Sequence, residues 1–168
     1  MSVKILKNAI FVLSIISLFV IGGCSTKSSY ITVDGTALGT FVQIKCNTTL
    51  SPNTITSMIK EVDQQAKASM SIFDTNSLLS RINNNDTDII DEHIAYNITL
   101  AQSFSELSGG AYDITIKPLT DAWGFGRELK EESEVNTDSL LMFVGYDKFR
   151  LEGDRVIKSD PRLQIDLN

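Results

Sequence analysis

The sequence predicts an α+β fold, a mostly antiparallel sheet with packed helices. Three observations lead there. Short apolar runs of period two stand in pairs around turn residues, as hairpins do; longer stretches with apolar residues at helical spacing lie between them; and the two kinds come in blocks rather than in the strict alternation that a parallel sheet needs.

The chain starts with Lys4 and Lys7, runs without charge from Ala9 to Gly23, and reaches Cys24. A basic start, an apolar run short of the ~20 residues of a membrane-spanning helix, and small residues at its end make a secretory signal peptide. Residues 1–23 are expected to be a leader, 24–29 a polar tether and 30–168 the folded part. Val20-Ile21-Gly22-Gly23-Cys24 resembles a bacterial lipobox. That resemblance implies that Cys24 is lipidated and holds the mature protein to a bacterial membrane on its periplasmic or extracytoplasmic side.

Tyr30 to Val33 and Phe41 to Cys46 alternate around Asp34-Gly35 and Gly39, which reads as strand, turn region, strand. Ser51-Pro52 then opens a helix from about Asn53 to Lys67, with Ile55, Met58, Ile59, Val62 and Ala66 at helical spacing. "SIFDTNSLLSRINNN" reads as a turn in which Asp74 or Ser77 caps a short helix, Leu78 to Ile82. Asp91 caps the next helix, whose apolar face is expected to run through Ile94, Ile98, Ala101, Phe104 and Leu107 to Gly109-Gly110. Ala111-Tyr112-Asp113 begins a strand that Pro118 ends. A short helix within "DSLLMF" precedes a hairpin, Phe149 to Leu151 and Val156-Ile157 about a Glu-Gly-Asp turn. The closing "LQIDLN" has a strand pattern with nothing after it to pair with, so the fold is expected to be incomplete at the C-terminus.

Formal net charge is −6, and about −8 once the two leader lysines are removed. Such an acidic chain does not suit nucleic acid, whose phosphates call for clustered Lys and Arg. With Cys24 lipidated, Cys46 has no partner for a disulfide within the chain and is expected to pack as a small hydrophobe. The lone His93 reads as a solvated surface residue. A Cys/His metal cluster, G-x-S-x-G, a Walker loop and G-x-G-x-x-G are all missing from the sequence, which removes most common enzyme classes.

Three segments remain. "GTALGT", Gly35 to Thr40, is either a plain hairpin connection or a loop that brings backbone N–H groups to a phosphate. "MSIFDTNSLLSRIN", Met70 to Asn83, places Phe73-Asp74 before a helix start, as core and cap or as a stacking face beside an anion. "SGGAYDITIKPLTDAWGFG", Ser108 to Gly126, combines small residues with Tyr112, Trp123 and Phe125: a glycine-rich corner, or a pocket for something large and flat.

In this order, behind a lipobox, the three segments resemble the FAD:protein FMN transferase family, also called ApbE. "GTALGT" resembles the family's G-T-x-M-G-T; the second segment resembles M-S-x-Y-x-x-x-S-E-[IL]-S-R-[FIL]-N; the third resembles S-x-G-A-F-D-[IP]-T-[VI]-x-P-L-x-x-x-W-G-F-G; and "LQIDLN" looks like the start of D-L-[NGS]-[GS]-[IV]-[AG]-K-G. The resemblance covers the mature chain but only about the first half of a family member. It implies Mg²⁺-dependent transfer of FMN from FAD to a threonine hydroxyl of a target protein, with release of AMP. Exported redox-pump subunits are the implied acceptors.

Residue by residue, the implied flavin contacts fall on Leu38, Phe73, Ala111, Tyr112, Asp113 and Asp166. Leu38 stands where the family has methionine and Phe73 where tyrosine is frequent, so apolar bulk and a stacking face are kept while sulfur and hydroxyl are lost. The implied metal ligands fall beyond Asn168, so this chain alone is expected to be inactive, and no catalytic residue is assigned. A Mg²⁺-dependent FAD hydrolase and a non-catalytic flavin-binding lipoprotein are the alternatives.

Overall fold

A computed structural model describes residues 30–125 and 136–167. The leader, Cys24, the tether, Gly126 and Asn168 lie outside them. Strand β1, Tyr30–Ala37, pairs antiparallel with β2, Thr40–Asn47, in a register that sets Ala37 opposite Thr40. Only Leu38 and Gly39 make the connection, at φ 52° and 73°. Two successive positive φ values suit the right-handed strand twist of a two-residue hairpin. β1 thus runs further than the glycines suggested, and Gly35 sits within it.

Helix α1 spans Pro52–Met70, with the Ser51 hydroxyl accepting from Thr54 N–H and Pro52 in the first turn, where a missing N–H costs nothing. Helix α2, Leu78–Asn83, is capped by Ser77, while Asp74 instead accepts from Asn76 N–H in the turn before it. Helix α3, Glu92–Leu107, starts at the Asp91 cap. Asp91 Oδ1 also accepts from Ser69 Oγ at 2.9 Å, which ties the end of α1 to the start of α3. Ile94, Ile98 and Ala101 of α3 are buried as expected, but Phe104 and Leu107 are exposed and Ser105 takes the inner position, donating to Ala101 O.

The strand expected from Ala111 to Pro118 is absent. In its place stand a 3₁₀ turn, Ile114–Ile116, and helix α4, Lys117–Ala122. The Asp113 side chain caps the turn, and Pro118 lies in the first helical turn, where its fixed φ favours a helix start rather than a strand end. Helix α5, Thr137–Leu141, leads to the hairpin of β3, Phe149–Glu152, and β4, Arg155–Lys158.

The described part of "LQIDLN", Leu163 to Leu167, forms no strand. Its backbone is instead held by one side chain: Asn83 Nδ2 donates to Ile165 O at 2.7 Å, and Ile165 N–H donates to Asn83 Oδ1 at 2.8 Å. An amide has one acceptor and two donor hydrogens on one plane, so it satisfies a residue's backbone as a neighbouring strand would. Leu163 and Ile165 are thereby fixed in the main core, fully buried among Leu79 and Ile82 of α2, Ile94 and Ile98 of α3, Phe149 of β3 and Val156 of β4. The β1–β2 hairpin lies apart from that core against α1. Between them is an apolar groove of ≈ 550 Å³ onto which half-buried Cys46 faces with Val42, Ile44, Ile55 and Met58. His93 is exposed.

Candidate functional site

Two clefts meet at Leu167. The first, ≈ 630 Å³, lies between the hairpin tip, Leu38 and Gly39, and the end of α1, Lys67 and Met70, with Phe73 and Asp74 along its floor. The second, ≈ 400 Å³, runs along α3 past Asn97 and Phe104 to Ser108 and Tyr112. Leu167 lines both. Asn97 Nδ2 also reaches Met70 Sδ at 3.2 Å across the boundary, donating to a weak sulfur acceptor.

The first cleft owes its shape to two local devices. Leu38 N–H donates to Asp63 Oδ1 at 2.6 Å, and Lys67 Nζ donates to Asp63 Oδ2 at 2.8 Å. A carboxylate on α1 thus holds the hairpin tip with one oxygen and a cleft lysine with the other. The Lys67 hydrogen bond, then that of Leu38 N–H, hold the Asp63 carboxyl below its usual range. The second device is the loop between α1 and α2. Ser71 Oγ accepts from the N–H groups of Phe73 and Asp74, and Ser71 O accepts from the hydroxyls of Ser77 and Ser80. With its backbone satisfied internally, the loop presents Phe73 outward, 57% exposed. Leu38 is 61% exposed. Two large apolar side chains facing solvent on either side of one cleft are a surface prepared for an apolar, flat occupant.

In the second cleft, the Tyr112 ring meets Phe104 edge to face, centroids 6.3 Å apart at 71°. Such packing fixes the ring plane. Tyr112 N–H donates to Ser108 Oγ, and Gly109 and Gly110 turn the chain at φ 61° and 84°. A Cβ on Gly110 would come within 3.2 Å of the Tyr146 ring, so this position needs glycine twice over.

The structure therefore brings Leu38, Phe73 and Tyr112 to one continuous surface. Asp166, next to Leu167 in the chain, is half-buried and is not among the residues lining the two clefts; its N–H donates to Ile114 O at 2.8 Å. Ala111 is exposed at the turn that leads to Tyr112. Asp113 has a different engagement: its Oδ1 accepts from Thr115 N–H at 2.8 Å and Thr115 Oγ1 at 2.7 Å, and Thr115 Oγ1 accepts from Gly145 N–H at 2.7 Å. Trp123 and Phe125, 63% and 76% exposed, are not among the residues lining the two clefts.

Sequence reasoning did not single out Asp63, Lys67, Asn97 or Leu167. Asp63 and Asn97 act on residues 25 and 27 positions away, Leu38 and Met70, while Lys67 enters through its bond to Asp63 one helical turn earlier. Asn83 carried one signal, an amide at the end of a helix where a lysine or arginine is ordinary, but nothing local tells which backbone it satisfies. The described residues include no group of three His, Cys, Asp or Glu side chains placed to share a metal ion.

The sequence profile of the ApbE family matches residues 38–168. A relative from Vibrio cholerae described as FAD:protein FMN transferase is 27% identical over 172 residues, covering 94% of this chain and 50% of its own length. Another with the same description, from Haemophilus influenzae, is 27% identical over 183 residues, 98% of this chain and 51% of its own. This chain thus spans about half the length of the relatives it matches. Among solved structures, the flavin transferase ApbE from Vibrio cholerae superposes with a TM-score of 0.76 at 24% identity, covering 83% of this chain and 48% of that one. The ApbE protein of Thermotoga maritima gives 0.71 at 28% identity, with 83% and 47% covered. The α+β fold is the one these structures share.

Proposed function

The chain belongs to the ApbE family, and from that premise we propose that its protein binds FAD and transfers the FMN half to a threonine hydroxyl of a target protein, releasing AMP. The observation that carries the reading is the meeting of the two clefts at Leu167, because it gathers the exposed Leu38, Phe73 and Tyr112 from three separate segments onto one surface. The relatives' descriptions as FAD:protein FMN transferases support it from outside.

In this reading the Phe73 face and the Leu38 side chain take the flavin ring, replacing water on surface that is now exposed. Tyr112 borders the ligand with its ring held by Phe104. Asp166, next to Leu167 in the chain, and the Ala111 backbone at the turn supply polar contacts. Asp113 acts by holding Thr115 and, through it, Gly145, which sets the path of the chain after Tyr112. The transfer itself forms a bond from the threonine oxygen to the FMN phosphorus and breaks the phosphorus–oxygen bond to AMP, with the hydroxyl proton lost to base or solvent. The described residues do not by themselves fit the Mg²⁺ that the resemblance implies, and no step is drawn through it. Lipidation at Cys24 and attachment to the outer face of a membrane are part of the same proposal.

The test uses a protein of the relatives' full length with FAD, Mg²⁺ and a threonine-containing acceptor peptide. Peptide carrying FMN, with AMP formed in equal amount, is expected. FMN and AMP with unmodified peptide would make it a hydrolase, and bound, intact FAD would leave a binding protein. The 168-residue chain alone is expected to transfer nothing, so labelled peptide from it would overturn that part.

A further inference from the structure

Outside the two clefts, at the end of β4, stands a lysine bonded without an acid. Lys158 Nζ donates to Ile82 O at 2.7 Å and to Asn85 Oδ1 at 3.1 Å. Both are neutral carbonyl oxygens, and among the described residues Lys158 belongs to no ion pair, whereas Lys67 and Lys117 have aspartates at 2.8 and 2.6 Å. A neutral amine has two N–H bonds and one lone pair. Two acceptors use both hydrogens of –NH₂ and leave the lone pair over.

Lys158, Ile82 and Asn85 together line a cleft of ≈ 460 Å³, with Thr87 and Asp88 farther along its wall. The amine and both of its acceptors thus belong to residues on one cleft, where a small molecule has room. Asp88, the acid on this cleft, is committed to Arg155 Nη1 through both oxygens, at 2.7 and 2.6 Å, so the charge beside the amine is balanced.

We propose that Lys158 is a modification site, an amine nucleophile that small acyl donors of the acyl phosphate class N-acylate from this cleft. The lone pair attacks the acyl carbon, a C–N bond forms, the acyl C–O bond to phosphate breaks, and the amine proton leaves with the phosphate. Burial of the half-exposed side chain lowers the ammonium from its ordinary 10.5 to about 8, which frees much of the amine at mildly alkaline pH. The amide product keeps a single N–H, so one of the two hydrogen bonds, to Ile82 O or to Asn85 Oδ1, is lost. Ile82 adjoins Asn83, so acylation loosens the clamp on Ile165.

The test is independent of flavin. The purified 168-residue chain is incubated with acetyl phosphate across pH 7 to 9.5, and acetylation of each lysine is followed by peptide mass spectrometry. Lys158 is expected to react about tenfold or more faster than Lys45 and Lys60 at pH 8. Its rate is expected to level off above pH 8, and the preference is expected to vanish in urea. A native rate at Lys158 no greater than at Lys45 and Lys60 overturns the proposal. A preference that survives in urea overturns it too, since local sequence and not the folded cleft would then be the cause.

Discussion

At the scale of single residues, two side chains hold more of the structure than their size suggests. Asn83 is buried and meets both backbone groups of Ile165, so Asn83→Ala leaves a buried N–H and C=O unpaired. That is expected to cost about 2–4 kcal/mol, read as a lower urea midpoint. Asn83→Asp keeps the acceptor but opposes a carboxylate to Ile165 O, so it is expected to recover only part of the loss. Asp113→Ala removes the cap of the 3₁₀ turn and one partner of buried Thr115, at about 1–2 kcal/mol, whereas Trp123→Phe, on an exposed ring, is expected to stay within about 0.5 kcal/mol. Equal losses from the two would mean that Trp123 packs against residues outside the described ones.

Among the elements, the β1–β2 hairpin sets stability against binding. Leu38 has φ 52° in the turn, a conformation that costs a leucine roughly 1 kcal/mol and that asparagine adopts readily. Leu38→Asn is therefore expected to stabilise the fold by about 0.5–1 kcal/mol, read as a higher urea midpoint, while weakening flavin binding, read by quenching of flavin fluorescence. A variant that gained stability and bound flavin equally would remove Leu38 from the site. The same turn shows what was legible beforehand. The hairpin, the three capped helices and the closing β3–β4 pair stood in alternation, spacing and cap residues, which are local properties. The Ile114–Ile116 turn and α4 did not, because Asp113 and Pro118 suit a strand's ends as well as a helix's start, and only the burial of Ile114 and Thr115 decides between them. Leu38, Phe73 and Tyr112 were readable as candidates through resemblance. That they share a surface rests on Leu167 and on the Asn97–Met70 contact, which no local pattern encodes.

For the whole molecule, two groups make stability rise with pH, one in the acid range and one in the alkaline range. The folded-state value of Asp63 is depressed, so its contribution is present above the ordinary 3.8 and is lost as pH falls through the lowered value. The hairpin tip is expected to detach from α1 in that acid range, before the main core opens, with amide exchange at Leu38 as the readout. Lys158 acts in the same direction at the alkaline end. The unfolded chain keeps that proton to about 10.5 and the folded chain only to about 8, so unfolding takes up a proton between them and stability rises with pH across that window. Lys158→Met is expected to remove this rise, and an unchanged slope in the variant would assign it to another group.

The Asn83–Ile165 clamp joins residues 82 positions apart, and Leu163 and Ile165 complete the core that α2 and α3 begin. During synthesis the two helices leave the ribosome long before their last partners do. For that interval their apolar faces have nothing native to rest on, and closing so long a loop is slow compared with forming a helix. The nascent chain is therefore a natural client for holding chaperones until about residue 165 has emerged, and the rate at which this core forms is set by the arrival of Leu163 and Ile165.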